Sequence, residues 1–363
     1  MTELALRDYY RTLGARFTEV NGMEVVEQFG DPMAEYAALM ESAAVLDLSC
    51  RGRLCVAGAD RTRFLHGQVT NNVNDLKVGD GCYAALANAK GKMQSDLNIY
   101  CLADEILLEF EPGFSAAVIE RLEKYIIADD VQVSDISPHY GLLSLQGPKV
   151  GSVFARAGFQ FDLPARPLSF TRFDHPELGE TYCMNQPRGS SMGFDLFVPS
   201  AKLGLAAEKL ITSAKAAGGQ PCGWQALEMA RIEAGVPRFG VDMDESNLAP
   251  ETGVESRAIS YTKGCYIGQE VIARIRTYGQ VAKSLRTFRL ADDLKQLPRK
   301  GDKLFHGDKE AGYITSAVAS PAFKCNVALG YVRREFNHPG TELTLHSAAG
   351  ESTVKVVELS TPK

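Results

Sequence analysis

The spacing of apolar and polar positions changes twice along the chain, and each change marks a different kind of structure. Near the start, Asp31-Pro32 precedes MAEYAALMESA. An N-cap residue followed by proline at the first helical position predicts a helix there. From residue 52 the period shortens. RGRLCVAG, GCYAALAN, KMQSDLNIYCLA, EILLEFEP and VQVSDIS read as strands. Two helices interrupt them: RTRFLHGQVT, with Asp60 as its expected cap, and FSAAVIERLEKYIIA, where Phe114, Val118, Leu122 and Tyr125/Ile126 share a face. Strand–helix–strands–helix–strand over 52–137 is a compact α+β unit of the split βαβ kind, inserted in a larger body.

That body, 1–51 and 138–280, resumes with HYGLLSLQGPKVGSVFARAGF as strand then helix, and GFDLFVPS as a strand. The helices SAKLGLAAEKLITSAKAAGG and GWQALEMARIEAG follow, and each stops at glycine. After about 281 the chain breaks into short alternating runs with turn residues between them, such as LRTFRLADD and CNVALGYVRRE. A C-terminal all-β domain, 281–363, of barrel or jelly-roll type is expected. The fold class is therefore α+β with a separate β domain.

Composition narrows the function. With 45% hydrophobic and 23% charged residues the chain reads as an ordinary soluble protein. No run approaches the roughly 20 apolar residues that span a bilayer, and MTELALRDYYRTLG lacks an apolar signal core, so a cytoplasmic chain without a membrane role is expected. A net charge of −6 supplies no general field for nucleic acid, although RIR, SLRTFR and YVRRE leave room for a local basic patch. The eight cysteines form no CxxC pair, which argues against a zinc or iron–sulfur site made by this chain alone.

Four stretches carry candidate chemistry. In Asn88-Ala-Lys-Gly-Lys-Met-Gln-Ser-Asp96 the AKGK is turn chemistry, and Asp96 on the following strand is a candidate proton acceptor or amine partner. In RGSSMGFDLFV, Asp195 is suited to accept paired hydrogen bonds from an amino-pyrimidine edge. In GWQALEMARIEAGVPRFGVDM, Arg231 lies beside an apolar face, where it can hold a ligand carboxylate or an internal one. The fourth is KGCYIGQE: Lys263, Gly264, Cys265, Tyr266, Gly268, Gln269 and Glu270. Lysine and the start of a helix near Gln269–Glu270 both favour thiolate at Cys265, Glu270 partly opposes them, and the glycines permit close approach. No histidine lies nearby in sequence to make a Cys–His pair.

KGCYIGQE resembles the signature of the YgfZ family of folate-binding proteins, which are linked to iron–sulfur protein maturation and related to the T-protein (GcvT) of the glycine cleavage system. The likeness extends over DLSCRGRLCVAGADRTRFLHGQVTNNVNDLKVGDGCYAALANAKGKMQSDL, SLQGPK, GFDLFV and ARIEAGVPRFGVDM. It implies a three-part, ring-like GcvT-like body with a ferredoxin-like insert, a C-terminal antiparallel β-barrel and a central tetrahydrofolate cavity. It places Asp195 where T-proteins hold the pterin with a glutamate, and Asp96 in the acidic segment near the reactive folate nitrogens. Arg231 matches the second arginine of the related helix, the first being replaced by Leu227. T-proteins have two adjacent acids where this chain has Ser95-Asp96, and Cys265 is not part of their pattern. The resemblance therefore favours a tetrahydrofolate-binding accessory protein for iron–sulfur cluster assembly or repair, with iron–sulfur client or assembly proteins as partners and Cys265 in thiol, redox or cluster-contact chemistry. The alternatives are a folate-dependent aminomethyltransferase or other one-carbon transferase using Asp96, and a tRNA-modification accessory factor.

Overall fold

A computed structural model describes residues 2–358. Its body is built on a six-stranded sheet in the order Phe170–His175, Gly179–Asn185, Gly193–Pro199, Tyr140–Gln146, Ala44–Asp47, Gln220–Pro221, all antiparallel except the last pair. Helices cover both of its faces. Phe194, Leu196 and Val198 point into one core, against the helix Leu203–Ala216. Phe197 points into the other, with Leu227 and Ala230 of the helix Trp224–Glu233. This two-sided burial explains why GFDLFV is apolar on both faces except at Asp195, which lies on the same side as Phe197.

Residues 52–135 form a second sheet of five antiparallel strands, in the order Gly81–Ala87, Met93–Cys101, Ile106–Phe110, Gly52–Ala57, Gln132–Asp135. The helices Arg61–Gln68 and Ser115–Glu123 pack on one face, over Leu54, Val56, Leu97, Ile99, Leu108 and Phe110. Alternation sends Tyr83, Asp96, Asn98 and Glu109 to the opposite face. The sheet thus has an oily back and a polar front, and the front faces the body.

The C-terminal strands close a six-stranded antiparallel barrel, Lys283–Leu290, Cys325–Arg333, Lys309–Ser320, Lys303–His306, Glu342–Ser347, Gly350–Val357, filled by residues such as Phe288, Leu304, Ile314, Leu345 and Val356. The expected choice between barrel and jelly roll resolves to the barrel.

The helix at Pro32–Glu41 begins as expected: the Met33 N–H donates to Asp31 Oδ1 at 3.0 Å. Two local expectations are corrected. Asp60 makes no side-chain cap to its helix. Its carboxylate instead accepts from the Asp130 N–H at 3.0 Å and pairs with Arg63, which also reaches Asp129 at 2.7 Å. The helix after Phe114 ends at Glu123 instead of running through the apolar YIIA; Tyr125 and Ile126 still pack in part against the insert's core, while Ile127 is 90% exposed. The hairpins Arg16–Val20/Met23–Gln28 and Phe170–His175/Gly179–Asn185 were not expected.

Candidate functional site

Between the polar front of the insert and the helix Trp224–Glu233 lies a cavity of about 410 Å³. Tyr83, Asp96 and Asn98 come from the insert, Trp224 and Arg231 from the helix, and Arg188 from the loop before Gly193–Pro199. Trp224 offers its ring to the cavity and carries the Arg238 guanidinium over it, 4.5 Å from the ring centroid. A separate cavity of about 430 Å³, near the N-terminus and lined by Leu4, Cys50 and Arg53 among others, contains none of the candidate residues.

The wall is held by an alternating chain of charges. Asp195 pairs with Arg188, whose Nη2 reaches Glu109 at 3.1 Å. Glu109 pairs with Arg51, which reaches Glu111 at 2.5 Å. Glu111 meets Arg238 at 2.8 Å, Arg238 meets Glu228 at 2.9 Å, and Glu228 meets Arg231 at 2.7 Å. Arg231 ends the chain on Asp242 at 2.5 Å. Nearly all of these groups are buried, and every guanidinium has a carboxylate on each side. That arrangement is the condition for charges to be tolerated away from water. Burial opposes ionisation of Glu111, but Arg238 and Arg51 together pull it down to about 2.

Asp96 stands apart from this chain. The Tyr83 hydroxyl donates to its Oδ2 at 2.8 Å, while Oδ1 is shielded from solvent and accepts from no group among the described residues. Burial, reinforced by the Glu111 charge, raises its carboxyl to about 6. It is therefore a carboxylate able to take or release a proton near neutral pH, with one oxygen free and an aromatic wall nearby.

The structure brings Asp96 and Arg231 together on the cavity wall. Arg231 is committed, however. It holds Glu228, Asp242 and, at 3.0 Å, the Ser316 hydroxyl of the barrel. Because Thr315 also donates to Asp242 at 2.6 Å, this cluster ties helix, loop and barrel. Asp195 is 1% exposed and lies behind Arg188, outside the lining.

KGCYIGQE is also outside the lining. Lys263 is buried, and its ammonium donates to the carbonyls of His66 in the last turn of the helix Arg61–Gln68 and of Val69 (2.7 Å) and Asn71 (2.9 Å) just past it, which fixes the loop to the insert. Gly268 has φ +88°, and a Cβ there would stand 2.5 Å from the Asn88 carbonyl oxygen of the AKGK hairpin. Gly264 has no such requirement; a Cβ on it would come no nearer than 3.6 Å, to His66 Nε2. His66 is thus a histidine beside the loop, hidden by nearly 200 residues of sequence separation. Tyr266 is buried with Met93 and Ile272, Gln269 opens the helix Gln269–Tyr278, and Glu270 pairs with Arg274 at 2.8 Å on the surface. Cys265 is exposed.

Sequence reading missed Tyr83, Glu109, Glu111, Arg51, Arg188 and Arg238. Glu109 and Glu111 left a trace: they alternate with the apolar residues of EILLEFEP, on the same face as Asp96 and Asn98.

Comparisons with known proteins agree with this architecture. Residues 6–263 match the GCVT N-terminal domain and residues 283–361 the glycine cleavage T-protein C-terminal barrel domain. Among its relatives, a protein named aminomethyltransferase of Halalkalibacterium halodurans is 29% identical over 98% of each chain, and one of the same name from Aquifex aeolicus is 28% identical over 93% of this chain and 89% of its own. The fold is that of the glycine cleavage system aminomethyltransferase T from Bartonella henselae, with a TM-score of 0.89 over 99% of this chain and 97% of the other at 22% identity. The chain belongs to the glycine cleavage T-protein family.

Proposed function

We propose that the cavity binds tetrahydrofolate and that the chain is a folate-dependent one-carbon transferase of the aminomethyltransferase type. The observation that carries this reading is Asp96: a carboxyl near pKa 6, with one oxygen fixed by Tyr83 and the other free inside an aromatic-walled cavity. The names of the full-length relatives point the same way. Tetrahydrofolate supplies the nitrogens that carry the one-carbon unit. The free Oδ1 of Asp96 is suited to accept an N–H of the ligand or to hold a proton beside a reacting nitrogen. Trp224 supplies a flat apolar surface, and Arg188, Glu109 and Arg51 keep the polar wall rigid, so that little reorganisation is needed when a ligand enters. Asp195 supports the cavity by fixing Arg188. The test is transfer of the aminomethyl group from the lipoyl carrier protein to tetrahydrofolate. Wild-type turnover that falls by about a hundredfold or more in Asp96→Asn is expected; no turnover by the wild type rules the transferase reading out.

A second reading is favoured by a separate observation. KGCYIGQE is anchored by three carbonyl contacts of Lys263 and presents an exposed thiol that the cavity does not use. In a YgfZ-like accessory protein for iron–sulfur enzymes, folate binding and the thiol would both be required. Cys265→Ser would then bind folate normally and fail to restore iron–sulfur enzyme activity in a deletion strain. Full restoration removes the thiol from the account.

A further inference from the structure

Five arginines line the cavity: Arg51, Arg188, Arg231, Arg238 and Arg257. The first four each hold carboxylates. Arg257 makes no ion pair and no side-chain hydrogen bond among the described residues. Its guanidinium lies over the Tyr83 ring, 4.5 Å from the centroid, and the residue is exposed at the cavity rim. The place of its backbone is fixed from below, since Asn71 Nδ2 donates both to the Arg257 carbonyl at 2.9 Å and to the Tyr83 carbonyl at 2.8 Å. Tyr83 in turn donates to Asp96. One line of contacts therefore runs from the free carboxylate oxygen inside to an unneutralised guanidinium at the mouth, with its planar face already set by an aromatic ring.

A guanidinium held flat and left without a partner is suited to a carboxylate arriving from solution. Stacking limits its rotamers, so less freedom is lost on binding than for a loose surface lysine. Tetrahydrofolate has the matching shape: a pterin at one end and one or more glutamyl carboxylates at the other. With the reactive end against Asp96, the tail must leave the cavity through its mouth, where Arg257 stands.

We propose that Arg257 is the tail-recognising residue of this cavity, binding the glutamyl carboxylates of tetrahydrofolate and selecting folates over tail-less pterins. This rests on the folate reading above and adds the orientation of the ligand. The other cavity arginines cannot substitute for it without breaking an existing pair, at the cost of leaving a carboxylate unpaired in a buried wall.

The experiment is calorimetric titration of wild type, Arg257→Ala and Arg257→Lys with tetrahydrofolate, tetrahydrofolate triglutamate and tetrahydropterin. In Arg257→Ala both folates are expected to weaken by about tenfold or more, the size of one charge-assisted hydrogen bond, while tetrahydropterin changes less than about twofold. Arg257→Lys should fall between, because it keeps the charge without the flat fork. Equal weakening of tetrahydropterin, or unchanged binding of both folates, overturns the assignment while leaving folate binding standing. If the wild type binds tetrahydropterin as tightly as the folates, there is no tail recognition and the proposal fails. If the wild type binds none of the three, the folate reading and this inference fall together.

Discussion

Replacing Asp96 by asparagine should make the protein more stable, although it removes the group proposed to do the chemistry. The ordinary carboxyl value of 3.8 rises to about 6 in the fold. At about 1.4 kcal/mol per pH unit, that shift corresponds to roughly 3 kcal/mol of destabilisation by the ionised form. Asp96 lies on a cavity wall and is only half-buried, so screening reduces the figure to about 1–2 kcal/mol. The sign follows from proton counting. Between pH 3.8 and about 6 the folded state binds more protons than the unfolded chain, so stability from this group falls as pH rises through that window and the full penalty is present above it. Asparagine keeps the size and can still accept from Tyr83, but it carries no charge. Urea unfolding at pH 5 and pH 8 gives the readout. Asp96→Asn should exceed wild type by about 1–2 kcal/mol at pH 8 and by about half of that at pH 5. A variant less stable than wild type at pH 8, or a difference that does not change with pH, would refute the claim that Asp96 is a strained, uncompensated carboxylate. Stabilisation with loss of activity is what a functional group held against its own preference should show.

Two further predictions concern the KGCYIGQE loop. Gly268→Ala must accommodate both a positive φ and a Cβ 2.5 Å from the Asn88 oxygen, so a loss of roughly 2–4 kcal/mol in chemical denaturation is expected, with faster amide exchange in residues 263–270; wild-type stability would mean that the hairpin and loop do not meet. Among the eight cysteines only Cys265 is exposed, so a thiol reagent on the native protein should modify one equivalent quickly and lose that phase in Cys265→Ser; a fast phase that persists in the variant places the reactive thiol elsewhere.

Much of the architecture was legible in the sequence because period and punctuation are local properties. Asp31-Pro32 starts a helix wherever it occurs before an apolar-periodic run. The alternation at the end of LRTFRL survives in the barrel, where Phe288 and Leu290 are buried and Arg289 between them is exposed, whereas CNVALGYV is a near-continuous apolar run because both its faces are covered: Ala328 and Val332 fill the barrel, and Val327, Leu329 and Tyr331 pack with Ile232 of the body. The expected helix overruns Glu123 because only part of YIIA faces the core: Tyr125 and Ile126 pack against it outside any helix, and Ile127 is 90% exposed, so apolar spacing alone does not extend the helix. Asp60 was misassigned because an incoming loop, invisible in the local sequence, offered its carboxylate a better partner.

The site was less legible. Asp96 could be singled out from its strand, but its raised pKa comes from burial and the Glu111 charge, and its single free oxygen is the one left when Tyr83 holds the other, all of which depend on strand pairing and packing. The charge chain gathers Arg51, Glu109, Glu111, Arg188, Glu228, Arg231 and Asp242 from segments scattered over nearly 200 residues. Apart from the i,i+3 pair Glu228–Arg231 and the alternation of Glu109 and Glu111, no spacing rule connects them, because pairing register and domain packing create their contacts. Arg231 shows the limit from the other side. The sequence allowed it to hold either a ligand carboxylate or an internal one, and only the packed structure shows internal carboxylates on it.

The central claim is that tetrahydrofolate occupies the cavity beside Asp96 and Trp224. Trp224 is the single tryptophan of the chain and lines that cavity, so its fluorescence reports the site without labelling. Titration with tetrahydrofolate should give a saturable change that is strongly weakened in Asp96→Ala. An unchanged Trp224 signal up to millimolar folate, with no heat by calorimetry, would contradict the account.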